Sequence, residues 1–141
     1  MTRSVVLIVT MAVGLGCAHR AVETREERRE RVVDSRADWT RLGERWVDGT
    51  HDHDVIHVGE REGTYRRIMI VVDHSALEMR DMTVTFADGS HFSPQVRHVF
   101  GPDTRSRVID LPGNRRVIRD VEFHYGNLPG GGRAQAELWA Q

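Results

Sequence analysis

Met82-Thr83-Val84-Thr85-Phe86-Ala87-Asp88-Gly89-Ser90-His91-Phe92 is the stretch that decides the fold. Its first five residues alternate large apolar side chains with Thr, the period-two pattern of a strand with one face on a core. Asp88-Gly89 tolerates the positive φ that a two-residue hairpin needs, so the chain is expected to turn here and return along His91-Phe92. Pro94 has no N–H to give a ladder, which places the return strand at an edge or a bulge before Gln95–Phe100 continues it.

The same kind of pattern runs outward in both directions. Trp39–Val47 and Asp54–Val58 read as strands, with Leu42 and Trp46 as core members of the first. Arg67–Val72 is apolar on both faces, as a central strand must be. Arg107–Leu111 ends at Pro112-Gly113, the dipeptide of a type II turn. In Val117–Tyr125, strict alternation puts Val117, Arg119, Val121, Phe123 and Tyr125 on one face. Ile118, Asp120, Glu122 and His124 fall on the other. Ala134–Trp139 closes the series. About eight short strands, spaced about 8–12 residues apart with no long helical pattern between them, predict an all-β fold. An antiparallel β-sandwich is expected, with an up-and-down barrel as the alternative.

Upstream of the strands the composition changes twice. Arg3 is followed by the apolar run Val5–Leu15, which suits the core of an export signal, about 7–15 residues. It is too short for a membrane span of about 20 residues. Gly14-Leu15-Gly16-Cys17 resembles the lipobox of bacterial lipoproteins, with Gly14 where an aliphatic residue is usual. That resemblance implies cleavage before Cys17 and lipidation of its thiol. Ala18, rather than Asp, implies the outer membrane by the same resemblance. Residues 18–38 hold six Arg and six acids and almost no apolar stripe. Thr24-Arg25-Glu26-Glu27 fits a capping box, so a helix is expected over Arg25–Val33 within a solvated spacer. The organisation expected is a signal peptide over 1–16, lipidated Cys17 with a charged tether over 17–38, and a β-sandwich over 39–141.

Composition removes several function classes. The 141 residues contain 20 basic ones, all Arg, so lysine chemistry is absent. Net charge is −1, which supplies no global field for nucleic acid. A single Cys cannot form an internal disulfide.

Three groups of residues could carry chemistry. His51-Asp52-His53-Asp54, with His57 beyond, is the densest. On a strand, His51 and His53 share one face, where two imidazoles can reach one Zn²⁺ or a similar ion. The third ligand would be His57, His74, His91, His98 or His124. Asp52 and Asp54 with loop carbonyls would suit Ca²⁺ instead. The same residues also read as a polar turn after Asp48-Gly49. Second, Arg115 and Arg116 at the Pro112-Gly113 turn could hold an anion or a carboxylated glycan, or Asp110 could pair with them to fix the turn. Third, Trp139 could be a rim residue of a sugar-stacking face shared with Trp39 and Trp46, although tryptophans in small domains usually pack. Ser75, Ser90, Ser93 and Ser106 sit in no nucleophile-elbow context.

The skeleton Trp39-x-x-Leu42-Gly43, Asp52-x-Asp54-x-Ile56, Phe86-x-x-Gly89, Ile109-Asp110-Leu111-Pro112-Gly113-x-Arg115 and Val121-x-Phe123-x-Tyr125 resembles a family of small exported bacterial proteins with a domain of unknown function. The resemblance covers residues 39–139 and implies secretion and a β-rich domain. It implies no activity and no catalytic residues. The expected function is a non-catalytic binding or structural module of the cell envelope. It would be anchored by its N-terminal lipid, face the periplasm or cell surface, and meet a protein or glycan partner without a cofactor. The alternatives are a metal-binding periplasmic protein using His51 and His53, with Zn²⁺ or Ca²⁺ as the ion, and a hydrolase.

Overall fold

The computed structural model describes residues 23–34, 37–49, 53–59 and 62–141. Cys17, His51 and Asp52 therefore lie outside the described residues, as does the apolar run before Cys17. One helix and ten strands are described: α1 Arg25–Asp34, β1 Thr40–Val47, β2 His53–His57, β3 Arg67–Asp73, β4 Leu77–Phe86, β5 His91–Phe92, β6 His98–Phe100, β7 Thr104–Arg105, β8 Ile109–Asp110, β9 Ile118–Tyr125 and β10 Ala134–Ala140. They form two antiparallel five-stranded sheets. One runs β1-β10-β3, with β7 and β8 both on the far side of β3. The other runs β2-β9-β4, with β5 and β6 both on the far side of β4. The expected sandwich is the observed architecture.

The core lies between the sheets. Ile68, Ile70 and Val72 of β3 face Leu77, Met79, Met82, Val84 and Phe86 of β4 and Val121, Phe123 and Tyr125 of β9, all buried. β3 is apolar on both faces, as its sequence requires. Its outward residues Met69 and Val71 are fully buried beneath Trp39 and Trp139. Removing one large core side chain, such as Phe86→Ala, should cost about 3–5 kcal/mol.

The deciding hairpin is present with a different turn. Phe86 N–H donates to Ser90 O at 2.9 Å, which leaves three residues in the loop. Of these, only Gly89 takes positive φ, 84°. This is the longer loop whose last residue is left-handed, and not the two-residue turn expected. The return strand is split. β5 pairs with the end of β4 (Val84 with Phe92), and β6 pairs with its start (Leu77 with Phe100). Ser93–Arg97 leaves the ladder between them, at Pro94. This split and the short β7 account for ten strands where about eight are expected.

Two bulges between β4 and β9, and a third on β1 between Arg41 and Gly43, correct the simple alternation. Register shifts between Thr85 and Phe86 of β4, so Arg119 of β9 is left over and Ile118, opposite Phe86, turns into the core. Ile118 is fully buried, against the reading that placed it outward. A second shift leaves out Arg80 and keeps Leu77 and Met79 inside with Met82. On β1, Val47 takes the core side, so Trp46, expected inside, faces outward and is 41% exposed.

The capping box forms in both directions. Thr24 N–H donates to a Glu27 carboxylate oxygen at 2.9 Å, and Glu27 N–H donates to Thr24 Oγ1 at 3.2 Å. The helix is not a free spacer at its start. Arg25 Nε lies 2.6 Å from the Asp103 carboxylate, whose side chain is only 5% exposed. Arg25 also donates to the His74 carbonyl. No helix among the described residues is long and apolar enough to cross a membrane.

Candidate metal centre

The outward face of the second sheet is built from three strands in register. His53 of β2 lies opposite His124 of β9, which lies opposite Asp81 of β4. The next outward row is Val55, Glu122 and Thr83, and the next is His57, Asp120 and Thr85. Period-two alternation turns all of these out because Ile56, Val121, Phe123, Met82 and Val84 take the core.

This register brings His53, Glu122 and His124 together. One ligand atom from each lies within 4.8 Å of the others. His53 Nε2 is 2.5 Å from Glu122 Oε1. His124 Nε2 is 3.6 Å from the same oxygen. The two imidazoles stack with centroids 4.7 Å apart. Tetrahedral Zn²⁺ with bonds of about 2.0–2.1 Å separates its ligand atoms by about 3.4 Å. The triad is therefore near ligating geometry. It needs the His53–Glu122 hydrogen bond to open and a metal to replace the shared proton.

Asp81 supplies the outer support. Its Oδ1 is 2.7 Å from His124 Nδ1. An ionised carboxylate only accepts, so Asp81 favours Nδ1 as the donor, and a neutral ring in that tautomer would offer Nε2 to a metal. This is the arrangement that orients a metal-binding histidine.

His57 stands apart from the triad. Its Nδ1 lies 2.6 Å from Asp120 Oδ1, and Arg119 Nε lies 2.8 Å from the other Asp120 oxygen. The His57 hydrogen bond, and then the Arg119 guanidinium, hold the Asp120 carboxyl below its usual range. A guanidinium already on that carboxylate opposes a metal there. Asp54 shares the face of Ile56 and points away from His53. An Asp54-based Ca²⁺ set therefore does not join His53. His91 bonds to Thr85 Oγ1 at 3.0 Å, His98 meets the Phe100 ring edge-on, and His74 lies against Trp46. Of the five candidate third ligands, His124 is the one the fold delivers.

Among the described residues the other two groups are engaged in separate intramolecular contacts. Arg116 donates to Asp88, to Ser90 Oγ and to the Pro112 carbonyl, and its guanidinium lies 3.8 Å from the centre of the Phe86 ring. It ties the 86–90 hairpin to the Pro112-Gly113 turn, where Gly113 takes φ of 86°. Its acid is Asp88 and not Asp110. Arg115 is exposed and reaches only Thr64 Oγ1, at 3.4 Å. Trp139 is half-buried on the first sheet and donates its indole N–H to Glu137 at 2.8 Å.

Sequence reasoning missed Glu122 and Asp81. Glu122 had a signal, since it shares the outward face with His124 at a spacing of two. Asp81 had none, because only the pairing of β4 with β9 sets it beside His124.

No curated protein and no solved structure matches the chain. Residues 6–140 match the family described as a domain of unknown function (DUF2541), so the chain belongs to that family.

Proposed function

We propose that this domain is a metal-binding module of the cell envelope. It takes one divalent transition metal of the zinc type on His53, Glu122 and His124. The carrying observation is the Asp81–His124–Glu122–His53 chain of contacts, which joins three ligand atoms to one orienting carboxylate. Two imidazoles and a carboxylate suit Zn²⁺, and also Ni²⁺ or Cu²⁺, better than the oxygen-only cage of Ca²⁺. Among the described residues the triad lies on the outward sheet face with each side chain about half exposed, which suits binding more than turnover. Export is the accompanying reading. It rests on the apolar run before Cys17 and the charged segment behind it. In that setting the metal site would be displayed from a lipid-anchored chain facing the periplasm or cell surface.

The test is Zn²⁺ binding to the full chain, followed by calorimetry and by thermal unfolding before and after chelation. One equivalent should bind. At 100 times its Kd, the metal should add about 2.7 kcal/mol of stability. His53→Ala with His124→Ala should remove both effects. Absence of binding, or its survival in that double variant, overturns the proposal.

A second reading, recognition of a protein or glycan partner without metal, has one observation in its favour. Trp46 is exposed, with His74 at 4.9 Å and the Arg133 guanidinium at 4.9 Å from its ring. Binding of a partner that depends on Trp46 and not on His53 would favour it.

A further inference from the structure

The split of the return strand opens a pocket at the edge of the sandwich opposite β2. Ser93–Arg97 leaves the β4 ladder, and the gap between β6 and β7–β8 is a hollow of about 290 Å³. Phe100, Ile109 and Val96 contribute apolar walls and are themselves nearly buried. Arg97, Arg105 and Arg107 also line the pocket, with His98. No carboxylate is among the lining residues.

Several arginines elsewhere in the domain are matched to acids: Arg41 to Glu44 and Glu137, Arg116 to Asp88, Arg119 to Asp120, and Arg133 to Asp48. Arg45 and Arg115 instead bond neutral oxygens. Among the described residues, Arg97, Arg105 and Arg107 form no ion pair. Arg105 donates to the Met69 sulfur, and Arg107 makes a long 3.4 Å bond to the Gln95 carbonyl. Two acids line the neighbouring hollow beyond Arg105 and Arg107. Asp103 is held by Arg25, and Glu23 lies 3.9 Å from Arg28. Arg107 reaches the Gln95 carbonyl on the pocket wall, Arg97 lines the same wall, and the Arg105 guanidinium is turned to Met69. Two arginines without a carboxylate beside an apolar floor suit an anion that carries its own apolar body.

We propose that this pocket binds a small organic carboxylate with a compact apolar body. Phe100, Ile109 and Val96 would take the body, and the arginines would take the carboxylate through paired N–H donors. The volume is at the small end for ligand pockets, about 300–1,000 Å³, which fits a short acid and excludes a long lipid chain. Inorganic anions would satisfy the charge and leave the apolar walls wet. The site lies on β6–β8 and the proposed metal on β2 and β9, so the two readings stand or fall separately.

The test is calorimetry of the full chain with hexanoate and N-acetylleucine as probes, and with hexanol and inorganic phosphate as comparisons. Hexanoate represents a free fatty acid, and N-acetylleucine represents the end of an apolar peptide. At least one carboxylate should saturate a single site at least tenfold more tightly than hexanol or phosphate. Arg97→Gln and Arg107→Gln, each checked for native melting, should weaken it tenfold or more together. Arg80→Gln should leave it unchanged. No saturable binding of either carboxylate overturns the proposal. So does hexanol or phosphate binding as tightly, or undiminished affinity in the folded Arg97/Arg107 variant.

Discussion

His53 Nε2 on the edge strand and Glu122 Oε1 on its neighbour are 2.5 Å apart, and the same oxygen is 3.6 Å from His124 Nε2. The carboxylate stands between two imidazoles from different strands, brought side by side by the pairing of β2 with β9. A metal at this point would trade one hydrogen bond for three ligand bonds. Asp81 would then matter without touching the metal, because it orients the His124 ring through Nδ1. Asp81→Ala should weaken Zn²⁺ affinity about 10–100-fold. Competition with a chelator of known affinity measures this. Unchanged affinity would remove Asp81 from the site.

Gly43 is a contact point between β1 and β2. A Cβ placed there would sit 2.6 Å from Ile56 Cγ2, inside the core. Gly43→Ala must push Ile56 aside, which should cost about 1–3 kcal/mol in urea unfolding. Because Ile56 lies three residues from His53, the same substitution should also weaken metal binding. A variant of native stability would show that β2 shifts freely.

The start of α1 is fastened to the sandwich by Arg25 and the nearly buried Asp103 carboxylate. That hydrogen bond raises the Arg25 pKa further, so the guanidinium stays charged. Arg25→Ala should release the helix from the domain. Amide exchange over residues 25–34 should speed up while the β3 and β9 amides stay protected. Equal exchange in both proteins would show that the fastening does not hold the helix.

Asp88 accepts both the side-chain hydroxyl and the backbone N–H of Ser90, at 2.5 and 2.9 Å, and faces Arg116. The Ser90 hydroxyl, then its N–H, hold the carboxyl below its usual range, with a smaller contribution from Arg116. A depressed native pKa contributes stability at pH values above the unfolded one, about 3.9. That contribution is lost as pH falls through the lower native value. Ser90→Ala should move the Asp88 titration upward and narrow this acid window. Carboxyl-carbon NMR titration reads it directly, and an unmoved Asp88 would contradict the assignment.

Much of the fold was legible because its signals are local. Apolar patterning placed β3, β9 and β10 close to their observed bounds, whereas β4 begins at Leu77, five residues before the expected Met82, and Thr24–Glu27 announced its capping box. Turn residues marked the right corners, though Asp88-Gly89 was read one residue too tight. The faces of Ile118 and Trp46 were not legible. Ile118 turns inward only because Arg119 is left over opposite β4, and a bulge is a property of two strands. Trp46 turns outward because Val47, one residue on, takes the core. Arg116 found Asp88 rather than Asp110 because the hairpin turn closes beside it.

The sequence by itself determined the strands, the sandwich, the helix cap and the concentration of histidine near β2, since these depend on period, turn chemistry and composition. Only the tertiary structure decided which histidine His53 meets, that Glu122 and Asp81 join them, and that Arg97 and Arg107 line one pocket. The reason is register. A cross-strand neighbour is set by where two distant segments align and where their bulges fall, and a slip of one residue would turn each of these side chains to the other face.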